Sequence, residues 1–145
     1  MQVAIKKLSE KAIVPSYASE FAAGADLYAC LEKDIIVNPH ETVLIPTGIA
    51  MEIPQGYAGL IYARSGLATK KGLAPANKVG VIDSDYRGEV KVALHNHSEN
   101  PQTVAMGERV AQLVITPYLT AQFTEQEELS QTVRGAGGFG STGSK

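Results

Sequence analysis

The stretch "EVKVALHNH", residues 89 to 97, puts Val90, Val92 and Leu94 on one side of an extended chain and Glu89, Lys91, His95 and His97 on the other. Side chains of a strand point alternately to its two faces, so this period of two predicts a β-strand with one face on a core. Just upstream, "GVID" (80 to 83) is a second short run of high β propensity. The intervening "DSDYRGE" (83 to 89) reads as a tight turn. A β-hairpin is expected there, with Asp83 at one end and Tyr86 at its tip.

Further from this point the same kind of run recurs between turn residues, in "DIIVN" (34 to 38), "TVLIPTGIAMEIP" (42 to 54) and "YAGLIYA" (57 to 63). Such spacing is that of an all-β sandwich or barrel. "RVAQLVITPYL" (109 to 119) is a further strand pair or one long bent strand, with Pro117 marking an edge or a bulge. Helical period surfaces only in "SGLATKKG" (65 to 72), which allows one short helix. After Leu119 the chain turns polar, and from Arg134 it is rich in glycine. A segment of this composition buries too little apolar area to order itself.

The 145 residues are enough for one domain with its own core. Thirteen basic and fifteen acidic residues nearly balance, which argues against a duplex nucleic acid as partner. The one cysteine, Cys30, excludes an intrachain disulfide and reads as a small buried hydrophobe in a reducing compartment. No secretory leader and no long apolar run stand out, so a soluble, cytoplasmic protein is expected.

Several local patterns fail on closer reading. "GAGGFG" (135 to 140) satisfies the dinucleotide-binding pattern, yet only five residues follow it, too few for the helix that must receive the pyrophosphate. The start of "DSDYRGE" is spaced like a calcium loop, but Arg87 and Leu94 stand where oxygen ligands are required. His95 and His97 share a strand face, and with no third ligand in view they read as solvated surface histidines. "ARSGLA" (63 to 68) sets an arginine, a hydroxyl and a glycine at a strand exit, where a guanidinium and backbone N–H groups can meet an anion.

Taken in order, "AGADLYA" (23 to 29), "RSGLA" (64 to 68), "GVIDSDYRG" (80 to 88), "GERVAQL" (107 to 113) and "RGAGGFGSTG" (134 to 143) resemble the five motifs of the trimeric dUTPase family. The one departure is Ala63, where many members have proline. The resemblance implies an all-β, jelly-roll-like distorted barrel over residues 1–133 and a flexible arm over 134–145. It implies a homotrimer with shared sites, and magnesium-assisted hydrolysis of dUTP to dUMP and pyrophosphate. That activity keeps uracil out of DNA and supplies dUMP for thymidylate synthesis.

By resemblance, Asp83 deprotonates the attacking water, and Asp26 holds the magnesium ion through water. Arg64, Ser65, Gly66 and Gln112 surround the α and β phosphates. Asn77, Val81, Ile82 and Lys91 read the uracil, and Tyr86 lies against the deoxyribose. From the arm, Phe139 stacks on the base while Arg134, Ser141 and Thr142 hold the terminal phosphates. The rival readings are a dCTP deaminase of the same fold and a regulatory module that binds dUTP without hydrolysing it.

Overall fold

The computed structural model describes residues 1–139. Ser141 and Thr142 lie outside the described residues. In chain order the elements are β1 (Ala4–Lys7), β2 (Ser16–Tyr17), β3 (Ala25–Tyr28), β4 (Ile35–Val37), β5 (Thr42–Pro46), β6 (Ile49–Glu52), β7 (Tyr57–Tyr62), α1 (Ser65–Lys71), β8 (Leu73–Pro75), β9 (Gly80–Ile82), β10 (Lys91–Asn96), β11 (Gln102–Val104) and β12 (Arg109–Pro117).

The strands form four antiparallel sheets, ordered β1-β6, β5-β10-β8, β11-β4 and β2-β3-β12-β7-β9. The all-β expectation holds, with separate sheets wrapped around one core rather than a continuous closed ring. Val90, Val92 and Leu94 are buried as their alternation requires, and they pack in one cluster with Leu27, Ile45, Ile49 and Val110. Burying each such side chain contributes about 1.5–3 kcal/mol.

Three expectations are corrected. The β9–β10 hairpin does not form a ladder: β10 pairs with β5 over 91–95 and with β8 over 94–96, and only its start is left without a strand on the β8 side. β9 pairs instead with β7, so the two strands diverge into different sheets. In β12 the irregularity is a register shift between Arg109 and Ala111, and Pro117 simply ends the strand, where its missing N–H breaks no interior ladder. Cys30 is half-buried rather than buried, packed against the edge of the core.

The helix forms where its period was visible. Gly72 ends it in the left-handed conformation (φ 67°), donating its N–H to Ala68 O, and Lys70 and Lys71 complement the helix dipole in the last turn. Its N-terminus has no side-chain cap, which leaves the amides of Ser65 and Gly66 facing outward. From Tyr118 to Phe139 the chain has no strand or helix, and Leu119, Phe123, Leu129, Val133 and Phe139 are almost fully exposed.

Candidate active site

The parting of β9 and β10 opens a pocket of about 400 Å³. Its lining includes Asn77, Val81, Ile82, Asp83, Tyr86 and Lys91, six residues that the resemblance assigns to base, sugar and catalysis. This size suits a small ligand. β9 is the outermost strand of its sheet, so its edge away from β7 has no strand partner. On β10, the C=O of Ala93 accepts from Ala76 N at 2.7 Å, on the side of β8. Backbone groups two residues apart in a strand point the same way, so those of Lys91 face that side too, beyond the end of β8. Two backbone edges therefore flank the pocket with hydrogen-bonding capacity.

Asp83 follows the buried Ile82 and is exposed, while its C=O accepts the N–H of Tyr86 at 3.2 Å and closes the turn. Tyr86 folds back over that turn and donates its hydroxyl to Glu89 O at 3.0 Å. The ring lies directly on Gly88, where an added Cβ would come within 2.6 Å of the ring carbon Cζ. Only a residue without a side chain permits this placement. Glu89 in turn accepts the N–H of Gly48 at 2.9 Å and stands 3.5 Å from Lys91 Nζ.

A second group of the side chains that the resemblance assigns to the site gathers elsewhere on the chain. Asp26, buried on β3, accepts from Arg64 Nε at 2.7 Å on one oxygen and from Arg109 Nη1 at 3.2 Å on the other. Gln112 lies opposite Asp26 in the β3–β12 register, and its side-chain N–H donates to Ala63 O at 2.8 Å. Gly24 makes room for this arrangement, because a Cβ there would run into the Gln112 carbonyl oxygen. Ser65 and Gly66 are exposed at the start of α1, and open space surrounds Gly66.

Arg64, Ser65, Gly66, Gln112 and Asp26 do not line the pocket of Asp83, and neither do Arg134 and Phe139. Arg134 donates through Nε to Gly137 O at 2.8 Å within its own turn. Two residues that contact the candidate site residues escaped the sequence reading, Arg109 and Glu89. Arg109 sits inside a motif that was recognised, but only the non-local pairing of β12 with β3 brings it to Asp26. Glu89 reads as a solvent-facing strand residue until the β5–β6 turn is placed beside it.

No three His, Cys, Asp or Glu side chains gather into a metal cage among the described residues. Magnesium fits this donor set only as a hydrated ion carried on phosphates, since such an ion keeps its waters and needs one or two carboxylates. Asp26 has two of its roughly four acceptor positions taken by guanidinium groups, which leaves room for water-mediated contact.

The exposed His97 fits the expected solvated reading, whereas His95 is half-buried and bonds through Nδ1 to Thr42 Oγ1 at 2.8 Å. Desolvation, and then the positive charges of His95, Lys78 and His40, hold His97 below the usual imidazole range.

The dUTPase family model matches residues 10–143. The deoxyuridine 5'-triphosphate nucleotidohydrolase of Hydrogenobaculum sp. (strain Y04AAS1) is 50% identical over 145 residues, covering 100% of both chains. That of Nautilia profundicola is 52% identical over 143 residues, 99% of each. Among solved structures, a mutant of the phage 80alpha dUTPase superposes with a TM-score of 0.87 at 29% identity, over 97% of this chain and 98% of that one. Another mutant of the Staphylococcus bacteriophage 80alpha enzyme, with dUpNHpp, gives 0.85 at 29% identity, over 98% of each. A mutant dUTPase from phage phi11 of S. aureus, described with a structural Mg(II) ion, gives 0.81 at 25% identity, over 90% of this chain and 100% of that one.

Proposed function

This chain belongs to the dUTPase family, and from that premise we propose how its residues carry out the hydrolysis of dUTP to dUMP and pyrophosphate. The observation that carries the reading is the position of Asp83, an exposed carboxylate at the mouth of a pocket walled by two unpaired backbone edges. The base enters between those edges. Backbone N–H and C=O groups of Val81, Ile82 and Lys91, with the amide of Asn77, meet the donor and acceptor pattern of uracil. Cytosine reverses that pattern at N3 and the 4-position and leaves buried groups unpaired, which discriminates by roughly 10⁴–10⁵. Tyr86, pinned to Glu89 O, lies where the deoxyribose sits and denies space to a 2′-hydroxyl.

Asp83 accepts a proton from water as that water attacks the α-phosphorus, so the bond to the bridging oxygen breaks and pyrophosphate leaves. Arg64, the Ser65 hydroxyl, the Gly66 amide and Gln112 bind the α and β phosphates and stabilise the charge that develops on them. Asp26 orients Arg64 for this task and would hold a hydrated magnesium ion through water. When bound, the ion supplies Lewis-acid polarisation of the phosphate oxygens.

The separation of Asp83's pocket from the Arg64–Asp26 group supports a homotrimer in which neighbouring chains complete each site. The arm from Arg134 onward would supply Phe139 to the base and Arg134, Ser141 and Thr142 to the terminal phosphates, and its closure excludes water. Among the described residues no helix is long and apolar enough to cross a membrane; cytoplasmic residence is part of this reading. The dCTP deaminase and regulatory alternatives lose ground to the full-length match with nucleotidohydrolases.

Pyrophosphate release from dUTP with magnesium, run beside dTTP, dCTP and UTP, tests the proposal. Release from dUTP alone is expected. Ammonia release from dCTP, or binding of dUTP without turnover, would overturn it.

A further inference from the structure

Away from the nucleotide pocket, the two histidines of "HNH" are set side by side at the far end of β10 from Lys91. Their ring centroids are 4.5 Å apart, with the planes inclined at 66°. The backbone between them is held firmly. Asn96 is fully buried; its amide nitrogen donates to Val37 O at 3.0 Å and to Asn100 O at 2.8 Å, and its side-chain oxygen accepts from Ser98 N and Ser98 Oγ. His97 N donates to Gly72 O at 2.8 Å, so the extended conformation continues past the last residue of β10. Both imidazoles thus project from a rigid segment with the period of a strand.

The ring of His95 is oriented as well. Its Nδ1 is engaged by Thr42 Oγ1, and with Nδ1–H donating to that hydroxyl the Nε2 lone pair is left for a ligand. A hydrogen bond at one ring nitrogen is what orients an imidazole for coordination at the other. Two imidazole nitrogens on one ion lie within about 4 Å of each other, since each bond is ~2.0–2.1 Å. Rings this close need little movement to reach that arrangement.

We propose that His95 and His97 form a bidentate imidazole site for a late first-row divalent cation, of the class of Zn²⁺, Ni²⁺ and Cu²⁺. Imidazole suits these ions, whereas magnesium takes oxygen ligands, so the site is chemically distinct from the nucleotide's metal. His40 faces Glu99, with Nε2 3.2 Å from a carboxylate oxygen, and is not one of the ligands. Water completes the coordination, so binding is reversible and open to exchange.

The test uses the full chain without a histidine tag and Cu²⁺ alone as the probe, the ion that ranks highest in affinity for such sites. Titration calorimetry should find one ion per chain, and electron paramagnetic resonance should resolve coupling to two imidazole nitrogens. His97→Ala, at an exposed position, should weaken binding at least tenfold while leaving magnesium-dependent dUTP turnover unchanged, which checks the fold. His95→Ala should weaken it to a similar degree, and His40→Ala should have no effect. Equal affinity in His97→Ala, a spectrum without two nitrogens, or loss of binding in His40→Ala would overturn the assignment.

Discussion

Arg64 Nε meets Asp26 Oδ1 at 2.7 Å and so ties the residue just before α1 to the buried carboxylate of β3. Arg109 approaches the other oxygen of the same carboxylate at 3.2 Å, from a side chain that is about half exposed. The two arginines are therefore not equivalent. Arg64→Ala should cost about 1.5–3 kcal/mol, the range for a hydrogen bond to a charged group. Arg109→Ala should cost about 1 kcal/mol or less, because solvent screens the exposed pair. Urea unfolding of both variants measures the difference, and equal costs would contradict the unequal geometry.

Asp83→Asn keeps the shape of the turn, since the contact that closes it comes from the backbone C=O to Tyr86 N. It removes the group that takes the proton. Turnover of dUTP should fall by roughly 10²–10⁴-fold, with dUTP still binding to the variant. Quenched-flow measurement of single turnovers separates the two, and a variant that loses binding but keeps its chemical step would refute the role of Asp83.

Gly88→Ala places a methyl group against the Tyr86 ring and must displace it. If that ring excludes the 2′-hydroxyl, kcat/KM for UTP relative to dUTP should rise by ~10-fold or more. Tyr86→Ala should do the same. Unchanged discrimination in both would remove the sugar-reading role.

Gly24→Ala forces the Gln112 amide from its place and with it the hydrogen bond to Ala63 O. Overpacking of this kind costs about 1–3 kcal/mol. Thermal unfolding should shift down by several degrees, and Gly24→Ala combined with Gln112→Ala should recover part of the loss. No recovery in the double variant would place the strain elsewhere.

In a proton NMR titration the His97 midpoint should lie below the usual imidazole range, and Lys78→Ala, which removes one of the positive charges that disfavour the charged ring, should raise it. The sign for stability follows. The unfolded chain takes up this proton first as pH falls through about 6.5, so the contribution is present at neutral pH and is lost as pH falls below that value. Exposure of the ring keeps the effect small. A midpoint unmoved by Lys78→Ala would exclude that charge as a cause.

Reading the strands needed only local information. The alternation of Val90, Val92 and Leu94 was visible because a strand's faces repeat every two residues whatever it pairs with. The short helix was visible for a similar reason, and the ordered motifs carried Asp83, Arg64 and Gln112 as side chains with suitable chemistry. Partner choice was different. β9 and β10 look like a hairpin until β5 and β8 are found on the two edges of β10.

The amino-acid sequence by itself determined the all-β character, the position of the helix and the chemical groups available for dUTP. Tertiary structure alone decided that β9 and β10 separate to leave a pocket, that Arg109 joins Arg64 on Asp26, and that His95 and His97 stand on a segment locked by Asn96. Side-chain periodicity is a property of the local backbone, whereas strand pairing depends on which edges distant segments have already occupied, and no short window of sequence contains that information.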